Sequence, residues 1–360
     1  MYTAVLHKSV TVRGVSQCKH ITHVTSDRVW ISDKEGNLIL TNTRGDILDS
    51  VTDLARYGYG VHTVTQNGDV IYIDSDFNII KRSKDKVKTT VIPYNTSPWD
   101  PHCVYSSPST GDLLVGIRND DTKTGQVNRY TNTGQHIQTI QHDNTGQGLY
   151  KYPNYITENR NGDVIVSDSG RYAVVVTDSR GRHRFSYTGT PSGSGLSPQG
   201  ICTDALSHIL VSDSRTQTVH IIDKDGNYLT ELDTVQHGID RPWSLSYDDI
   251  TRSVWVGSWD NNTVNIYRLI YGGDNLTDPD SDDINKVDEL KKFLRNEKTT
   301  VSHARGILVG CAEAGKTTLL KRLRGKRQSV NEITDSTRGL EVHQHLFIVR
   351  DKVLEGKNNF

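Results

Sequence analysis

Residues 1–272 repeat one pattern six times: a short apolar strand, a polar turn rich in Ser, Asp and Asn, and a second strand in which apolar and polar residues alternate. A D-x-x-G or N-x-x-G turn often follows. Equivalent strands begin every 41 to 51 residues, at Val29, Val70, Leu113, Val164, Ile209 and Val254. Six four-stranded units at this period are typical of a β-propeller, whose blades bury apolar residues against each other. We therefore predict a mainly β fold in which domain 1–272 is a six-bladed β-propeller.

The last unit of the repeat lacks a strand. Its sequence provides WSLSYD, SVWVGSW and TVNIYRL, whereas a propeller blade has four strands. The opening stretch YTAVLHKSVTVRG belongs to no unit and is long enough to form a strand. We expect residues 2–12 to complete the sheet around residues 254–269 and thereby to close the ring.

Three residues near the N-terminus, Cys18, His20 and His23, have the chemistry of metal ligands. No fourth ligand stands near them, and this favours a strand and turn with incidental histidines over a metal site.

Several aromatic residues stand beside prolines at the starts of the first strands of the units: Trp99, Tyr155 and Trp243. Two interpretations stay open, because loops at one end of a propeller channel commonly bind partners, whereas strand residues usually serve packing. We favour packing between blades.

A set of aspartates ends the second strands: Asp33, Asp74, Asp168, Asp213 and Asp260. They suit acid–base chemistry or calcium, but their recurrence once per unit favours side-chain capping of turns.

The repeat resembles the NHL type, most clearly in YPNYITENRNGDVIVSDSGRYAVVVTDSRGRHRFSYTG at 152–189. Phrases such as HITHVTSDRVWISD and LSYDDITRSVWVGSWDNNTV are similar to the C-terminal propellers of the tripartite-motif (TRIM-NHL-like) families expanded in bivalve molluscs. This resemblance covers about three quarters of the chain. It implies a propeller that selects the target of a ubiquitin ligase, in proteins where a RING finger, B-boxes and a coiled coil precede it.

The cysteines exclude a RING finger in this sequence. Cys18, Cys103, Cys202 and Cys311 stand far apart, and no C-x-x-C pair occurs. A RING-type zinc site needs paired thiolates at close spacing, so ubiquitin ligase activity is not expected of this chain by itself.

Charge and hydropathy exclude further classes of function. Residues 1–272 carry 26 basic and 29 acidic side chains, whereas residues 301–360 carry 11 and 6. Non-specific binding of nucleic acid depends on neutralised phosphates, so the acidic balance speaks against RNA binding by the propeller. No apolar run approaches the roughly 20 residues that span a bilayer, and no signal peptide is apparent. We therefore expect a cytoplasmic protein that does not enter membranes.

Residues 273–304 form a bridge of different composition. Gly273, Pro279 and an acidic run indicate a linker, and Ser281 followed by two aspartates is a good helix start. Apolar residues then follow at helical spacing: Ile284, Val287, Leu290, Phe293 and Leu294. We predict an acidic linker that leads into a short amphipathic helix.

Residues 305–360 begin with a phosphate-binding loop in its usual setting. GILV at 306–309 reads as a buried strand, the loop 310–317 matches G-x-x-x-x-G-K-[ST], and TTLLKRLR reads as a helix. The backbone N–H groups of such a loop and the helix N-terminus bind phosphate, Lys316 neutralises the β- and γ-phosphates, and Thr317 ligates Mg²⁺. The predicted nucleotide-binding residues of the loop are Gly310, Glu313, Ala314, Gly315, Lys316, Thr317 and Thr318.

The same segment resembles the start of a Roc domain, a Ras-like P-loop GTPase. GILVGCAEAGKTTLLKRLRG is similar to the first Roc motif, and STRGLEV at 336–342 is similar to the Thr-x-Gly-Ile switch, with Leu340 in place of isoleucine. The resemblance implies GTP or GDP as ligand, with Thr337 as a second Mg²⁺ ligand. The family also has an Asp-x-x-Gly motif and an Asn-Lys-x-Asp motif, and neither follows in this sequence. Asp351 does not begin the first motif, because Leu354 rather than glycine stands three residues later. We therefore expect an incomplete α/β P-loop segment, truncated relative to a GTPase domain, and assign no catalytic residue.

Three functions follow from these features. The first is a propeller that binds protein partners on its loops and is coupled to a GTP-binding module. The second is a substrate-recognition module that acts in ubiquitination with a separate ligase. The third is an RNA-binding propeller of the NHL type.

Overall fold

Six four-stranded antiparallel sheets make up most of the described chain. The computed structural model describes residues 2–55, 61–93, 97–190, 193, 195–271, 346–350 and 353–357. Each sheet follows the order of the sequence from its first to its fourth strand, except that the last sheet takes its fourth strand from the N-terminus. The predicted six-bladed propeller is confirmed.

The N-terminal strand and the first three blades are as follows. Strand β1 is Tyr2–Thr11; blade 1 is β2 (His20–Thr25), β3 (Arg28–Ser32), β4 (Leu38–Asn42) and β5 (Ile47–Val51); blade 2 is β6 (His62–Val64), β7 (Val70–Ile73), β8 (Ile79–Arg82) and β9 (Lys88–Ile92); blade 3 is β10 (Trp99–Ser106), β11 (Leu113–Asn119), β12 (Thr124–Tyr130) and β13 (His136–Ile140).

The remaining blades complete the ring. Blade 4 is β14 (Pro153–Glu158), β15 (Val164–Asp168), β16 (Ala173–Thr177) and β17 (His183–Tyr187); blade 5 is β18 (Pro198–Thr203), β19 (Ile209–Asp213), β20 (Thr218–Ile222) and β21 (Tyr228–Asp233); blade 6 is β22 (Pro242–Asp248), β23 (Ser253–Ser258), β24 (Thr263–Tyr271) and β1. A short 3-10 helix, Val235–His237, precedes blade 6. The second strands begin within one residue of the positions predicted from the repeat.

The N-terminal strand closes the ring. Strand β1 pairs antiparallel with β24, from Tyr2 opposite Tyr271 to Thr11 opposite Thr263. Val10 is 4% exposed and belongs to a core cluster with Trp255 and residues of blade 1. The predicted closure is therefore confirmed: the two ends of the ring sequence share one sheet.

Burial within a blade follows from its neighbours. Strands β15 and β16 are buried at every position, because the adjoining blades cover both of their faces. The fourth strand β17 alternates between exposed and less exposed residues, since it forms the rim of the ring. Hairpin turns of the D-x-x-G type join third and fourth strands; in one, Gly181 has φ of 81° and donates its N–H to Asp178 O. That conformation explains the glycine of the repeat.

The first strands of the blades line the axis. They contact one another in the order β2, β6, β10, β14, β18, β22 and back to β2. Because the strands of a blade alternate in direction, all loops between first and second strands lie on one face of the ring, which we call the AB face. Strand β24 also ends on the AB face, at Tyr271.

Two compact units divide the chain, Met1–Leu276 and Thr277–Phe360. The described residues of the second unit form one antiparallel hairpin of β25 (Leu346–Arg350) and β26 (Val353–Lys357). The predicted linker and helix at 273–304, and the phosphate-binding loop, lie outside the described residues, so those assignments and the domain boundaries stay predictions. No helix in the described part of the chain is long and apolar enough to cross a membrane.

Candidate functional site

A cavity of about 670 Å³ lies on the axis of the propeller. The first strands of all six blades contribute to its lining, and so do the AB-face residues Pro108, Ser109, Arg160 and Asp249. The volume falls within the range of roughly 300–1,000 Å³ that is usual for ligand sites. We call this cavity the axial pocket and consider it the candidate functional site.

Tyr155 reaches across the propeller axis, beside His20 of the axial pocket. Its hydroxyl, on blade 4, donates a 2.7 Å hydrogen bond to the carbonyl oxygen of Lys19 on blade 1, the blade opposite in the ring. His20 stacks on the Tyr155 ring with centroids 5.5 Å apart and planes 16° from parallel. The Tyr155 side chain therefore crosses the axis, and the pocket opens toward the AB face.

Two histidines form the inner end of the axial pocket. The Nδ1 atoms of His20 and His62 lie 3.4 Å apart, and His62 Nε2 lies 3.2 Å from the carbonyl oxygen of Trp30. Burial, and secondarily the neighbouring His62, hold the pKa of His20 well below its usual range. The imidazole of His20 is therefore neutral at pH 7.

This neutral histidine predicts a loss of stability in acid. The unfolded chain protonates His20 below its usual pKa of about 6.5, whereas the folded chain resists protonation, so the free energy of unfolding should fall as pH drops through that range. In His20→Gln the dependence on pH should be weaker. Urea unfolding between pH 7.5 and pH 5.5 measures it, with His136→Gln on the exposed strand β13 as the matched control. If the free energy of unfolding depends on pH equally in His20→Gln and in the unmodified protein, the interpretation of His20 as a buried neutral histidine is contradicted.

Hydroxyl groups join neighbouring first strands around the pocket. Thr22 Oγ1 donates to the His62 carbonyl at 3.0 Å, and Thr203 Oγ1 donates to the Glu158 carbonyl at 3.1 Å. Ser246 Oγ accepts the backbone N–H of His23 at 2.9 Å. These bonds satisfy backbone groups that the sheets leave unpaired at the axis, and they give the pocket a polar wall.

A buried carboxylate lies in the wall. Glu158, whose side chain is 4% exposed, accepts a 2.7 Å hydrogen bond at Oε1 from Arg129 of blade 3. The same guanidinium lies 3.4 Å from Asp112 Oδ2. Glu158 Oε2 is buried and has no hydrogen-bond partner among the described residues. One cation is thus shared by two carboxylates, and the group keeps a negative charge.

Ion pairs surround the mouth of the pocket. Arg160 Nη2 of blade 4 lies 3.1 Å from Asp249 Oδ1 of blade 6, and both side chains are more than half exposed. His23 Nε2 lies 3.5 Å from Asp248 Oδ2. Although burial opposes it, the nearby His23 and the hydrogen bonds that Thr251 Oγ1 and the Ile250 N–H donate leave the pKa of Asp248 below its usual range. Exposed pairs such as Arg160 and Asp249 contribute little to stability, so they are free to exchange partners on binding.

The three residues considered as metal ligands turn to different surroundings. Cys18 Sγ lies 3.7 Å from the Thr263 carbonyl, His20 contacts His62, and His23 contacts Asp248. In the described part of the chain, no three His, Cys, Asp or Glu side chains group closely enough to hold a metal ion.

The aspartates at the ends of second strands mostly cap turns, as predicted. Asp33 accepts the backbone N–H groups of Glu35 and Asn37, and Asp74 acts likewise. Asp168 accepts N–H groups from Lys151, Tyr152 and Arg171, and so ties two loops together. Asp213 does the same with Ser197 and Arg215.

The prediction for Asp260 was wrong. The position equivalent to Asp168 in blade 6 is Ser258, which lies opposite Pro242 as Asp168 lies opposite Pro153. Asp260 stands two residues further on, where its carboxylate forms an ion pair with Arg241.

The aromatic residues at the strand starts serve packing. Trp243 is 9% exposed and packs on Trp259 with ring centroids 3.9 Å apart, and Lys19 Nζ lies 5.1 Å above the Trp259 ring. Trp99 packs against the core cluster of blades 2 and 3. Tyr155 also packs, but its position across the axis makes it part of the site as well.

The sequence-based site residues lie outside the described residues: Gly310, Glu313, Ala314, Gly315, Lys316, Thr317, Thr318 and Thr337. Sequence reasoning missed Glu158, Arg160 and His62 as pocket residues. A signal for Glu158 existed, since it is a lone acid at the end of the apolar strand YPNYITE.

The closed ring of six four-stranded sheets, with its axial pocket, defines residues 2–271 as a six-bladed β-propeller. Similar solved structures include a gluconolactonase from Xanthomonas campestris, at 13% identity over 75% of this chain and 90% of that chain with a TM-score of 0.56. A PQQ-bound aldose sugar dehydrogenase from Streptomyces coelicolor matches at 12% identity over 75% of this chain and 99% of that chain, with a TM-score of 0.55. A catalytically inactive virginiamycin B lyase from Staphylococcus aureus, with quinupristin, matches at 16% identity over 74% of this chain and 89% of that chain, with a TM-score of 0.52.

These likenesses concern the fold, because the three proteins carry names of different reactions and share few residues with this chain. No protein-family model matches the chain, and no curated protein matches it either.

Proposed function

We propose that this chain is an interaction module in which the propeller binds a segment of a protein partner at the AB face, and a GTP-binding module follows it. The observation that carries the proposal is the axial pocket, which the first strands of all six blades line and whose AB-face residues include Ser109, Arg160 and Asp249. Loops on a rigid scaffold are the usual place for recognition. A pocket of about 670 Å³ has room for one or two side chains of a partner.

The exit of the chain supports coupling between the two activities. Strand β24 ends at Tyr271 on the AB face, so the segment that leads to the phosphate-binding loop starts on the face that carries the pocket. Lys316 and Thr317 would bind the phosphates and Mg²⁺ of GTP, and Thr337 would respond to the γ-phosphate. Replacement of GTP by GDP would then change how easily a protein partner reaches the AB face.

Lys316→Ala is expected to abolish Mg²⁺-dependent binding of a fluorescent GTP analogue by the full chain, because the loop loses its phosphate-neutralising cation. Titration with and without Mg²⁺ measures it, and Lys326→Ala, in the same basic segment beyond the loop, is the matched control. Unchanged binding by Lys316→Ala would contradict the nucleotide assignment.

The partner site has its own test. Ser109→Arg places a long side chain at the pocket mouth, and Ser75→Arg places the same side chain in a turn on the opposite face. Proteins crosslinked to the full chain in cells should be lost with Ser109→Arg and retained with Ser75→Arg. Equal recovery with both variants would place recognition elsewhere.

A second candidate function is substrate selection for a separate ubiquitin ligase. The stretch with the clearest resemblance to tripartite-motif propellers, residues 152–189, supports it, because it coincides with blade 4. In that case the crosslinked proteins include a ligase, and their recovery is the same for Lys316→Ala and the unmodified chain. If recovery of the crosslinked proteins depends on Lys316, the first candidate function, a propeller coupled to a GTP-binding module, is favoured.

A further inference from the structure

One layer of the axial pocket consists mainly of hydroxyl groups. In blade 1, Thr22 lies opposite Trp30, which follows the repeat position Val29, and each other blade has its equivalent pair. The six first-strand residues of these pairs therefore stand at equivalent positions around the axis, and all of them line the pocket. We call them the hydroxyl ring, because five of the six carry a hydroxyl: Thr22, Thr63, Tyr105, Thr157, Cys202 and Ser246.

Two hydroxyls of the ring keep a proton to donate. Ser246 Oγ accepts the backbone N–H of His23 at 2.9 Å, and Thr63 Oγ1 accepts the backbone N–H of Ser106 at 3.1 Å. A hydroxyl has two lone pairs and one proton, so each of these groups has used a lone pair and retains its proton. Neither proton has an acceptor among the described residues. The ring thus contains hydrogen-bond donors that the fold itself does not use.

Other members of the ring add a donor and an acceptor. Burial, partly offset by the Thr157 hydroxyl, raises the pKa of Tyr105 to about 12, so this phenol keeps its proton at pH 7. Thr22 differs, since it donates its proton to the His62 carbonyl at 3.0 Å and presents only lone pairs to the pocket. A ligand that fits the ring therefore needs both an acceptor and a donor.

The inner end of the pocket adds a neutral nitrogen of the same kind. His20 Nδ1 faces His62 Nδ1, whereas His20 Nε2 has no hydrogen-bond partner among the described residues. The imidazole is uncharged, so Nε2 accepts or donates one hydrogen bond according to its tautomer.

The carboxylates of the lining are already paired. Each has a basic partner: Glu158 has Arg129 at 2.7 Å, Asp204 has His208 at 2.8 Å, and Asp249 has Arg160 at 3.1 Å. A charged ligand, whether anion or cation, has to break one of these pairs to gain a counterion of its own. A neutral ligand leaves the pairs intact.

From these features we infer that the axial pocket binds a primary amide, the side chain of glutamine or asparagine, in the segment of the protein partner at the AB face. An amide is neutral, and it offers an oxygen to the hydroxyl protons and N–H groups to the lone pairs of the ring. An apolar side chain would cover the protons of Ser246 and Thr63 without pairing them, which is a cost that the amide avoids. The inference rests on the proposed function, since it names the chemistry of the partner at the same face.

The experiment uses the full chain and fluorescein-labelled peptides with blocked ends, Gly-Ser-Gln-Ser-Gly and versions with asparagine, norleucine, glutamate or lysine at the centre. Fluorescence anisotropy at physiological ionic strength measures their affinities. The tighter of the two amide peptides should bind about tenfold more tightly than the norleucine peptide. The glutamate peptide has nearly the shape of the glutamine peptide but carries a charge, so it should bind less tightly than the amides, and so should the lysine peptide.

Ser246→Ala removes one donor from the ring and should reduce the preference for the amide over norleucine to about twofold. Ser246→Thr keeps a hydroxyl, and its preference should rank between those of Ser246→Ala and the unmodified chain. Ser50→Ala makes the same change as Ser246→Ala at an exposed position of the rim strand β5 and should leave the preference intact. Tyr105→Phe, which keeps the ring of the side chain, gives a second reading if Ser246→Ala does not fold, and it should lower the preference to about threefold.

Equal binding of the amide and norleucine peptides overturns the inference, and so does tightest binding of the glutamate or lysine peptide. A preference that survives both Ser246→Ala and Tyr105→Phe overturns it as well. Loss of crosslinked partners with Ser109→Arg despite equal peptide binding would leave the proposed function standing and reject the amide alone. A preference for the amide peptides, with crosslinked partners unaffected by Ser109→Arg, would support the amide and reject the protein partner at the AB face.

Discussion

Val10→Asp is expected to lower the free energy of unfolding of the propeller by about 4 kcal/mol, since it buries an unpaired carboxylate where the ring closes. Val10 is 4% exposed, lies opposite Val264 of β24 and packs in a cluster with Trp255. Whole domains are stable by only about 5–15 kcal/mol, so this change removes a large share of the total. Urea unfolding followed by circular dichroism measures the effect.

The matched control lies on the same strand. Val5 is 47% exposed, and Val5→Asp should change the free energy of unfolding by about 1 kcal/mol or less, mainly through the poor strand propensity of aspartate. Amide hydrogen exchange should also quicken along β1 and β24 in Val10→Asp but not in Val5→Asp. Equal urea midpoints for the two variants would mean that β1 is not needed to hold the ring together.

Gly200→Ala is expected to destabilise the ring by about 3 kcal/mol, because blades 5 and 6 approach too closely at the axis for a side chain. A Cβ atom on Gly200 would lie 2.4 Å from the carbonyl oxygen of Trp243 and 2.7 Å from the Cα atom of Ser244. Both are backbone atoms of β22, which cannot move aside without shifting a strand that also contacts blade 1. The midpoint of thermal unfolding and the affinity of the axial pocket for its ligand should both fall in Gly200→Ala.

Gly148→Ala serves as the control for Gly200→Ala. No heavy atom lies within 4 Å of the Cβ position at Gly148, so the added methyl group meets nothing there. Its effect should stay within about 1 kcal/mol and can be favourable, since alanine restricts the unfolded chain. A Gly200→Ala protein as stable as Gly148→Ala would show that the blades can separate at the axis.

The fold was predictable because its information is local and repeated. Each blade pairs strands that are neighbours in sequence, so the six second strands could be placed to within one residue. Closure by β1 was predictable too, since only blade 6 was short of a strand and only the N-terminus had one to spare.

The pocket was not predictable from the same information. Tyr155 and Lys19 are 136 residues apart in sequence and meet only because their blades face each other across the ring. Glu158 owes its state to Arg129 of the preceding blade, which a strand pattern does not reveal. The prediction that Asp260 caps a turn was wrong for a related reason. Asp260 stands two residues beyond Ser258, the position equivalent to the capping aspartates, and composition does not reveal such a shift.

The bond from Tyr155 to Lys19 has a kinetic consequence. Because the Tyr155 side chain spans the axis beside the axial pocket, a group that enters the pocket from the AB face is expected to leave by the same face. A partner protein bound over the AB face would therefore slow the release of its own inserted side chain. A competitor could not reach that side chain from the opposite face of the ring. Dissociation, rather than capture, would then set how long such a complex lives.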